Sequence, residues 1–482
     1  MVNTDGRRFG QIYVDGNWAD MPRTEAVVVG DPTGRSDPVE VAIAGRDEVD
    51  RAVATARRAF PAYAAMGVAE RIALLQRLLA EYQARASDMA MAICADIGAP
   101  RWLSEQLQVL TGIAHIEAGV TALRLLDTRT RRGSTLIEHV PIGVCGLITP
   151  WNWPINQIAC KVVPALAVGC TMILKPSELA PRSAALWAEC VAAAGFPAGV
   201  FNMVTGDAST GALLSGHKDI DMISFTGSTR GGIAVANAAA PTVKRVCQEL
   251  GGKSANILLD DADFAVAVPA GVQAVMANSG QSCNAPTRML VPRARMDEVI
   301  AIARAAAESV TVGPPESNAF TGPVISQAQW SRIQDLIATG IAEGARLVAG
   351  GPGRPEGIED GYYIRPTIFA DVSNDMRIAR EEVFGPVLAI IGYDDDDAAV
   401  RIANDSDYGL AGYVQSATVE RARKVAEQLR VGQVMVNDVG LAAIDFSAPF
   451  GGFKQSGNGR EWGMYGMMDF LEARAILGWY AA

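Results

Sequence analysis

From residue 47 to 125 apolar positions recur at helical spacing, as in Ala69-Glu70-Arg71-Ile72-Ala73-Leu74-Leu75. Such spacing predicts helices that each bury one face. From about residue 140 the pattern changes, and short apolar runs alternate with helical stretches. The runs 144–148, 171–174, 201–204 and 222–225 read as buried strands. Each is followed by Gly, Pro, Ser or Thr, then by an Ala-rich helix such as 182–194 or 232–239. Strand–loop–helix repetition predicts an α/β fold with a parallel sheet. Ligands of such sheets bind at the carboxyl ends of the strands. A second series follows Gly252, with strands at 257–259 and 289–291 and helices at 265–278 and 297–309. The segment 128–139 alternates enough for an exposed hairpin, and the tail 471–480 is apolar with a strand-like end. Exposed strands are a liability in a monomer. These two segments suggest subunit pairing, although a tail packed within its own chain fits the pattern equally well.

Length then divides the chain. At 482 residues it exceeds one ordinary core, so two or three domains are expected. Charge excludes one class of partner. Lys plus Arg is 42 against 53 Asp plus Glu, a net charge of -11. Nucleic-acid surfaces need a concentrated positive field, so no nucleic acid is expected. The longest apolar stretch, 162–174, lies between Lys161 and Lys175 and is too short to span a bilayer. Residues 1–16 are polar, with Arg7 and Arg8 and no apolar signal core. No membrane partner is expected. The seven cysteines (94, 145, 160, 170, 190, 247 and 283) are odd in number and form no CxxC pair. That usage fits a reducing cytoplasm rather than a disulfide framework. The three histidines, His115, His139 and His217, lie far apart, so no metal site is expected and a Ser-His-Asp triad has few candidate bases. Acid–base chemistry is then expected of carboxylates, Lys or Cys.

Five segments can carry that chemistry. Cys283 sits in the polar loop Asn278-Ser-Gly-Gln-Ser-Cys-Asn-Ala-Pro-Thr-Arg288, between a predicted helix and a strand. A cysteine is most often a buried packing residue. A loop thiol in a Gly-containing turn is a better nucleophile candidate than the other six, which lie in apolar contexts. Glu249, in Gln248-Glu-Leu-Gly-Gly-Lys253, either reaches a cleft or decorates a turn. Gly252-Lys253-Ser254 imitates the end of a P-loop, but Cys247 stands where the first glycine is required. In Pro150-Trp-Asn-Trp-Pro154 two prolines fix the chain, and Asn152 either presents an amide donor of the oxyanion kind or sits in a packed turn. Lys175-Pro-Ser-Glu178 and Phe225-Thr-Gly-Ser228 end two strands. Gly and hydroxyl groups at a helix start suit phosphate, and Lys and Glu suit ribose hydroxyls. No GxGxxG occurs in these loops.

Together these segments resemble the aldehyde dehydrogenase superfamily. PWNWP, KPSE, FTGSTRGG, ELGGK, GQSCNAPTR, EEVFGP at 381–386 and PFGG-KQSG at 449–457 occur in family order and at family-like spacing over nearly the whole chain. The resemblance implies an aldehyde dehydrogenase-like fold, two Rossmann-like α/β domains plus a small β oligomerisation element. Residues 1–125 and 142–252 would form the NAD-binding domain, 253–455 the catalytic domain, and 126–141 with 468–482 the oligomerisation element of a homodimer or homotetramer. It implies that Cys283 attacks the aldehyde and that Asn152 and the Cys283 N–H hold the oxyanion. Glu249 would activate the water that hydrolyses the thioester, and Lys161 and Glu461 match positions linked to proton relay. Ile148, Thr149, Trp151, Lys175, Glu178, Ala208, Phe225, Gly227, Ser228, Leu250, Glu382 and Phe384 match cofactor positions. Glu178 accepts hydrogen bonds from a free 2′-hydroxyl but repels a 2′-phosphate, which favours NAD over NADP.

Alignment by offset from these motifs puts Trp153, Gln157, Cys160, Ala277, Ser282, Asn284, Ile444 and Phe450 in the substrate pocket. Succinate-semialdehyde members carry Arg at the position of Cys160, and small-aldehyde members often carry Trp there. Cys160 and Ala277 therefore imply a wide pocket for a bulky, apolar or aromatic aldehyde. Two alternatives stand beside this reading. A CoA-acylating semialdehyde dehydrogenase would not need the water-activating Glu249, and a crystallin-like scaffold would need none of Cys283, Glu249 and Asn152.

Overall fold

The computed structural model describes residues 9–21, 25–440 and 444–480. Parts of the segments assigned above, 1–8, 22–24, 441–443 and 481–482, lie outside the described residues. Three sheets position the site. The first runs Asn17–Asp20, Gln11–Val14, Phe201–Met203, Thr171–Lys175, Val144–Ile148, Met222–Thr226, Arg245–Glu249 and Gly457–Asn458. Its five central strands, Phe201–Met203 to Arg245–Glu249, are all parallel. Val144–Ile148 and Thr171–Lys175 are buried at every position, because helices cover both faces of the sheet. Helix Pro154–Val168 joins these two strands. Pro154 starts it with a preset φ, and Gly169 (φ 99°) ends it in the left-handed conformation.

Chain order reverses beside Val144–Ile148. The chain first crosses to Thr171–Lys175 and Phe201–Met203 on one side, then returns to Met222–Thr226 on the other. The loops after these strands diverge there and leave a crevice at their carboxyl ends. The second sheet runs Arg346–Ala349, Thr367–Ala370, Val387–Tyr393, Arg288–Pro292, Ala255–Leu258, Ala411–Gln415 and Gln433–Val436. Only its first pair is antiparallel. The chain passes from the first sheet to the second through residues 250–254, and Gly457 later returns to pair with Glu249. Glu249 thus stands at the seam between the sheets.

The third sheet runs Leu471–Ile476, Thr135–Pro141 and Arg129–Arg132. The hairpin and the tail strand expected from the sequence are both present. The tail pairs within its own chain, from Leu471 opposite Pro141 to Ile476 opposite Leu136. No described helix is long and apolar enough to cross a membrane.

Two features depart from the sequence reading. The helix expected over 265–278 ends at Met276, because Asn278, Ser279 and Gly280 take left-handed φ values of 50°, 56° and 72°. The N-terminal strands Gln11–Val14, Asn17–Asp20, Ala26–Val29 and Val39–Ala42 were not read from the pattern. Each is four residues long, and Gln11–Val14 finds its sheet partner through Tyr13 opposite Met203.

Candidate active site

The left-handed turn 278–280 explains how the Cys283 loop is built. Gly280 lies against the backbone of Gly385, where a Cβ would stand 2.0 Å from the carbonyl oxygen. Asn278 Nδ2 donates to Asn152 O (2.8 Å) and to Gln281 O (3.3 Å). Asn152 Nδ2 donates to the same Gln281 carbonyl (3.0 Å). Gln281 Nε2 donates back to Asn278 O (3.1 Å), and its Oε1 accepts from Ile325 N (2.9 Å). Trp153 Nε1 donates to Ser282 Oγ at 2.8 Å. The loop after Val144–Ile148 and the loop before Cys283 are thus bonded together. Asn152 spends one amide hydrogen on this frame and keeps a second donor. Asn278, absent from the sequence-derived site, ties the two loops together with Asn152 and Trp153. Its partner carbonyl is 126 positions away, and no local pattern could have shown it.

Glu249 ends strand Arg245–Glu249 and is buried. It does not decorate a turn. Its Oε2 lies 4.0 Å from Cys283 Sγ, and its Oε1 has no hydrogen-bond partner among the described residues. The two glycines that follow have separate reasons. A Cβ on Gly252 would stand 2.3 Å from the Cys283 carbonyl oxygen, and one on Gly251 would stand 2.3 Å from Glu382 Oε2. The glycine pair therefore lets the thiol loop and the Glu382 carboxylate approach the strand end. Burial pushes the Glu249 carboxyl well above its ordinary range, and the nearby Glu461 adds to this while Lys161 opposes it. Burial also pushes the Cys283 thiol well up, with Glu249 and Glu382 adding to the effect. Burial thus favours the uncharged form of each group.

Behind Glu249, Lys161 and Glu461 form a buried ion pair. Burial alone would depress the Lys161 ammonium, but Glu461, Cys160 and Cys247 together hold it above its ordinary value. Cys160 belongs to an apolar cluster with Phe450 and Trp462, against which Cys283 and Ile444 pack. It is 2% exposed and lines neither cavity at the site. Its thiol lies 3.3 Å from Glu461 Oε2 and 3.4 Å from Gln157 O.

A cavity of about 230 Å³ opens at Cys283. Trp153, Gln157, Ser282, Asn284, Ile444 and Phe450 line it, as expected from the motifs. Ala277 does not. It lines an outer cavity of about 750 Å³ that shares Leu107, Trp153, Ser282, Asn284 and Ile444 with the inner one. The helix ends at Met276, so Ala277 is its C-cap residue. Asn156, Phe446 and Trp462 line the inner cavity and were not singled out from the sequence. Trp462 stacks on Phe450 (4.4 Å, 17°) and on Phe446 (5.1 Å, 29°), giving an aromatic wall.

The remaining candidates occupy the crevice at the strand ends. Ile148 is buried, and Thr149 Oγ1 is buried without a hydrogen-bond partner among the described residues. Trp151 meets Phe384 edge-on at 5.6 Å, where Phe384 holds a left-handed φ of 55°. Glu382 Oε1 accepts from Gly252 N (3.0 Å), and burial raises its carboxyl to about 7. Lys175 Nζ donates to Gly206 O (2.6 Å) and Pro176 O (2.9 Å) and stands 3.6 Å from Glu178. Ala208 opens helix Ala208–Gly216 beside it. Across Val144–Ile148, Phe225 packs under Gly227, and Ser228 Oγ caps the next helix by accepting from Gly231 N (3.2 Å). Leu250 packs against Gly232. Glu178 and Ser228 follow the two strands that flank Val144–Ile148 and so stand on opposite sides of the crevice.

A cysteine and a glutamate facing each other across a seam between two α/β sheets define a class of enzyme. The family model of the aldehyde dehydrogenase family matches residues 18–476, and the chain belongs to that family, whose members oxidise aldehydes. The chain is 50% identical over 476 residues to a 3-succinoylsemialdehyde-pyridine dehydrogenase of a Pseudomonas species, covering 98% of this chain and 99% of that protein. It is similar to a mutant of aldehyde dehydrogenase C from Pseudomonas syringae solved with NAD+ and octanal. That match has a TM-score of 0.97 and 48% identity and covers 100% and 99% of the two chains. A Mycobacterium tuberculosis aldehyde dehydrogenase solved with NAD+ matches with a TM-score of 0.94 and 39% identity over 97% and 98%.

Proposed function

We propose that this enzyme oxidises a bulky, mainly apolar or aromatic aldehyde to its carboxylic acid with NAD, through a covalent intermediate on Cys283. The observation that carries the reading is the 4.0 Å approach of Cys283 Sγ and Glu249 Oε2 beside a cavity walled by Trp153, Phe446, Phe450 and Trp462. The crevice residues fit the cofactor. Thr149 and Thr226 each bury a hydroxyl without a hydrogen-bond partner at the strand ends. Ser228 opens a helix whose first turn suits a pyrophosphate. Glu178 is partly exposed beside Lys175, as a ribose ligand requires, and its charge favours NAD over NADP. The NAD+ in both solved relatives supports the same choice.

Cys283 adds to the aldehyde carbon, and its proton leaves toward the ionised form of Glu249. The free donor of Asn152 and the Cys283 N–H stabilise the oxygen that becomes negative. NAD, held by the crevice residues Thr149, Glu178 and Ser228, would take the hydride that leaves the thiohemiacetal carbon, so that a thioester remains on Cys283. Glu249, once ionised, takes a proton from water as the water attacks that thioester. The buried pair of Lys161 and Glu461 carries the proton away from Glu249. We assign residues 1–125 and 142–252 to NAD binding, 253–455 to the catalytic domain, and 126–141 with 468–482 to subunit pairing.

Two relatives support the substrate class. One is a dehydrogenase of a pyridine-bearing semialdehyde, and the other was solved with octanal. An aldehyde panel with NAD, followed by absorbance of the reduced cofactor, tests the reading. Benzaldehyde-type and long-chain aldehydes are expected to exceed acetaldehyde in kcat/KM, with no acceleration by CoA and with NADP inferior to NAD. Faster turnover of acetaldehyde, or a requirement for CoA, would overturn it.

A further inference from the structure

The polar side chains of the inner cavity are not equivalent. Ser282 Oγ already accepts from Trp153 Nε1 (2.8 Å), and Thr111 Oγ1 donates to Gln108 O (2.7 Å). Among the described residues, no hydrogen bond holds the side-chain amides of Gln106, Gln157 or Asn284. Asn156 differs. It lies in the first turn of helix Pro154–Val168, is half-buried, and lines the cavity. Its Oδ1 accepts from Nε2 of His115 at 2.8 Å. His115 is itself 4% exposed. Its ring is wedged edge-on against Phe446 (4.8 Å, 85°) and Trp462 (5.5 Å, 67°).

That bond has a chemical consequence. Burial lowers the His115 imidazole to about 4, opposed by Asn156 and by Glu461, so the ring is neutral near neutral pH. A neutral imidazole has one N–H, and here it goes to Asn156 Oδ1. The acceptor half of the amide is thereby occupied from behind, and the Nδ2 half has no partner among the described residues. An amide oriented by a rigid, buried neighbour offers its N–H groups without first losing rotamer freedom.

We propose that Asn156, oriented by His115, is a hydrogen-bond-donor subsite for a neutral acceptor in the tail of the aldehyde, either a carbonyl oxygen or an aromatic ring nitrogen. The inference rests on the reading of this cavity as the aldehyde site. An oriented donor selects for substrates that can accept from it. A tail lacking the acceptor leaves the buried N–H groups unpaired. His115 acts only through Asn156 and is a positioning residue.

Three aldehydes of similar length separate the possibilities: 4-phenylbutanal, 4-(pyridin-3-yl)butanal and 4-oxo-4-phenylbutanal. The readout is the ratio of kcat/KM for each acceptor-bearing aldehyde to that for 4-phenylbutanal. The wild-type ratio is expected to reach about ten-fold for at least one acceptor. Which of the two is favoured tells ring nitrogen from carbonyl. Asn156→Leu, similar in volume, is expected to bring the ratio to about one. His115→Leu is expected to lower the ratio mainly through KM, and His115→Gln, which keeps a donor, to restore it. A wild-type ratio near one for both acceptors, or a ratio unchanged by Asn156→Leu, would overturn the proposal. Turnover of 4-phenylbutanal below that of acetaldehyde would instead sink the bulky-aldehyde reading.

Discussion

At the scale of single residues, burial governs Cys283 and Glu249. Both groups are held well above their ordinary pKa ranges, burial being the largest cause for each. A protonated carboxyl cannot take a proton from a thiol or from water, and raising the pH ionises it. Both kcat and kcat/KM are therefore expected to rise from neutral into alkaline pH, measured as pH–rate profiles. A flat profile over that range would contradict the assignment of Glu249 as base. Lys161 opposes the raised Glu249 value. Lys161→Met is expected to displace the rise to still higher pH. Cys283 was legible as a loop thiol, and the resemblance gave Glu249 its role. For Cys160, sequence gives a position on a helix but not the partner its side chain will choose. Its thiol meets Glu461, 301 positions away.

Among elements, the decisive one is the turn that carries the nucleophile. A helical pattern runs on through 278, and only the backbone shows three successive left-handed residues there. Asn and Gly tolerate that conformation, but Ser279 pays for it with bonds to Thr321 Oγ1 (2.8 Å) and Gly322 O (2.8 Å). Gly280→Ala would place a methyl 2.0 Å from the Gly385 carbonyl oxygen in a conformation costing Ala about 1–2 kcal/mol. The variant is expected to show a lower Tm and a kcat reduced by about ten-fold or more, since a displacement near 1 Å at the nucleophile is enough for that. Wild-type kcat in a folded Gly280→Ala enzyme would show that the turn does not set the thiol's position. The buried central strands were read with bounds within a residue or so, because runs covered on both faces are continuously apolar. The short strands near the N-terminus were not, since four residues carry little periodicity and their partners lie far along the chain.

For the molecule as a whole, the two parallel sheets were foreshadowed by strand–loop–helix repetition. The return of 457–458 to the first sheet was not, because it is an antiparallel pair of two residues. The third sheet buries little of its own tail, and Leu477 and Trp479 are 81% and 53% exposed beside it. We infer that this surface pairs subunits. Sedimentation of the full chain is expected to show a homo-oligomer, and the double variant Leu477→Asp with Trp479→Asp is expected to shift it toward smaller species. A monomeric wild type would contradict this.

The central claim is that Cys283 carries the acyl group and that Glu249 is needed to release it. Glu249→Gln should therefore form the acyl-enzyme slowly, the thiol proton leaving to water instead, and stall there. The enzyme would be mixed with NAD and a long-chain aldehyde, quenched in acid and digested, and its peptides weighed. The account predicts about one equivalent of reduced cofactor per site and an acyl mass increment on the peptide containing Cys283. Reduced cofactor formed with Cys283 unmodified, or an acyl group on any other residue, would contradict it.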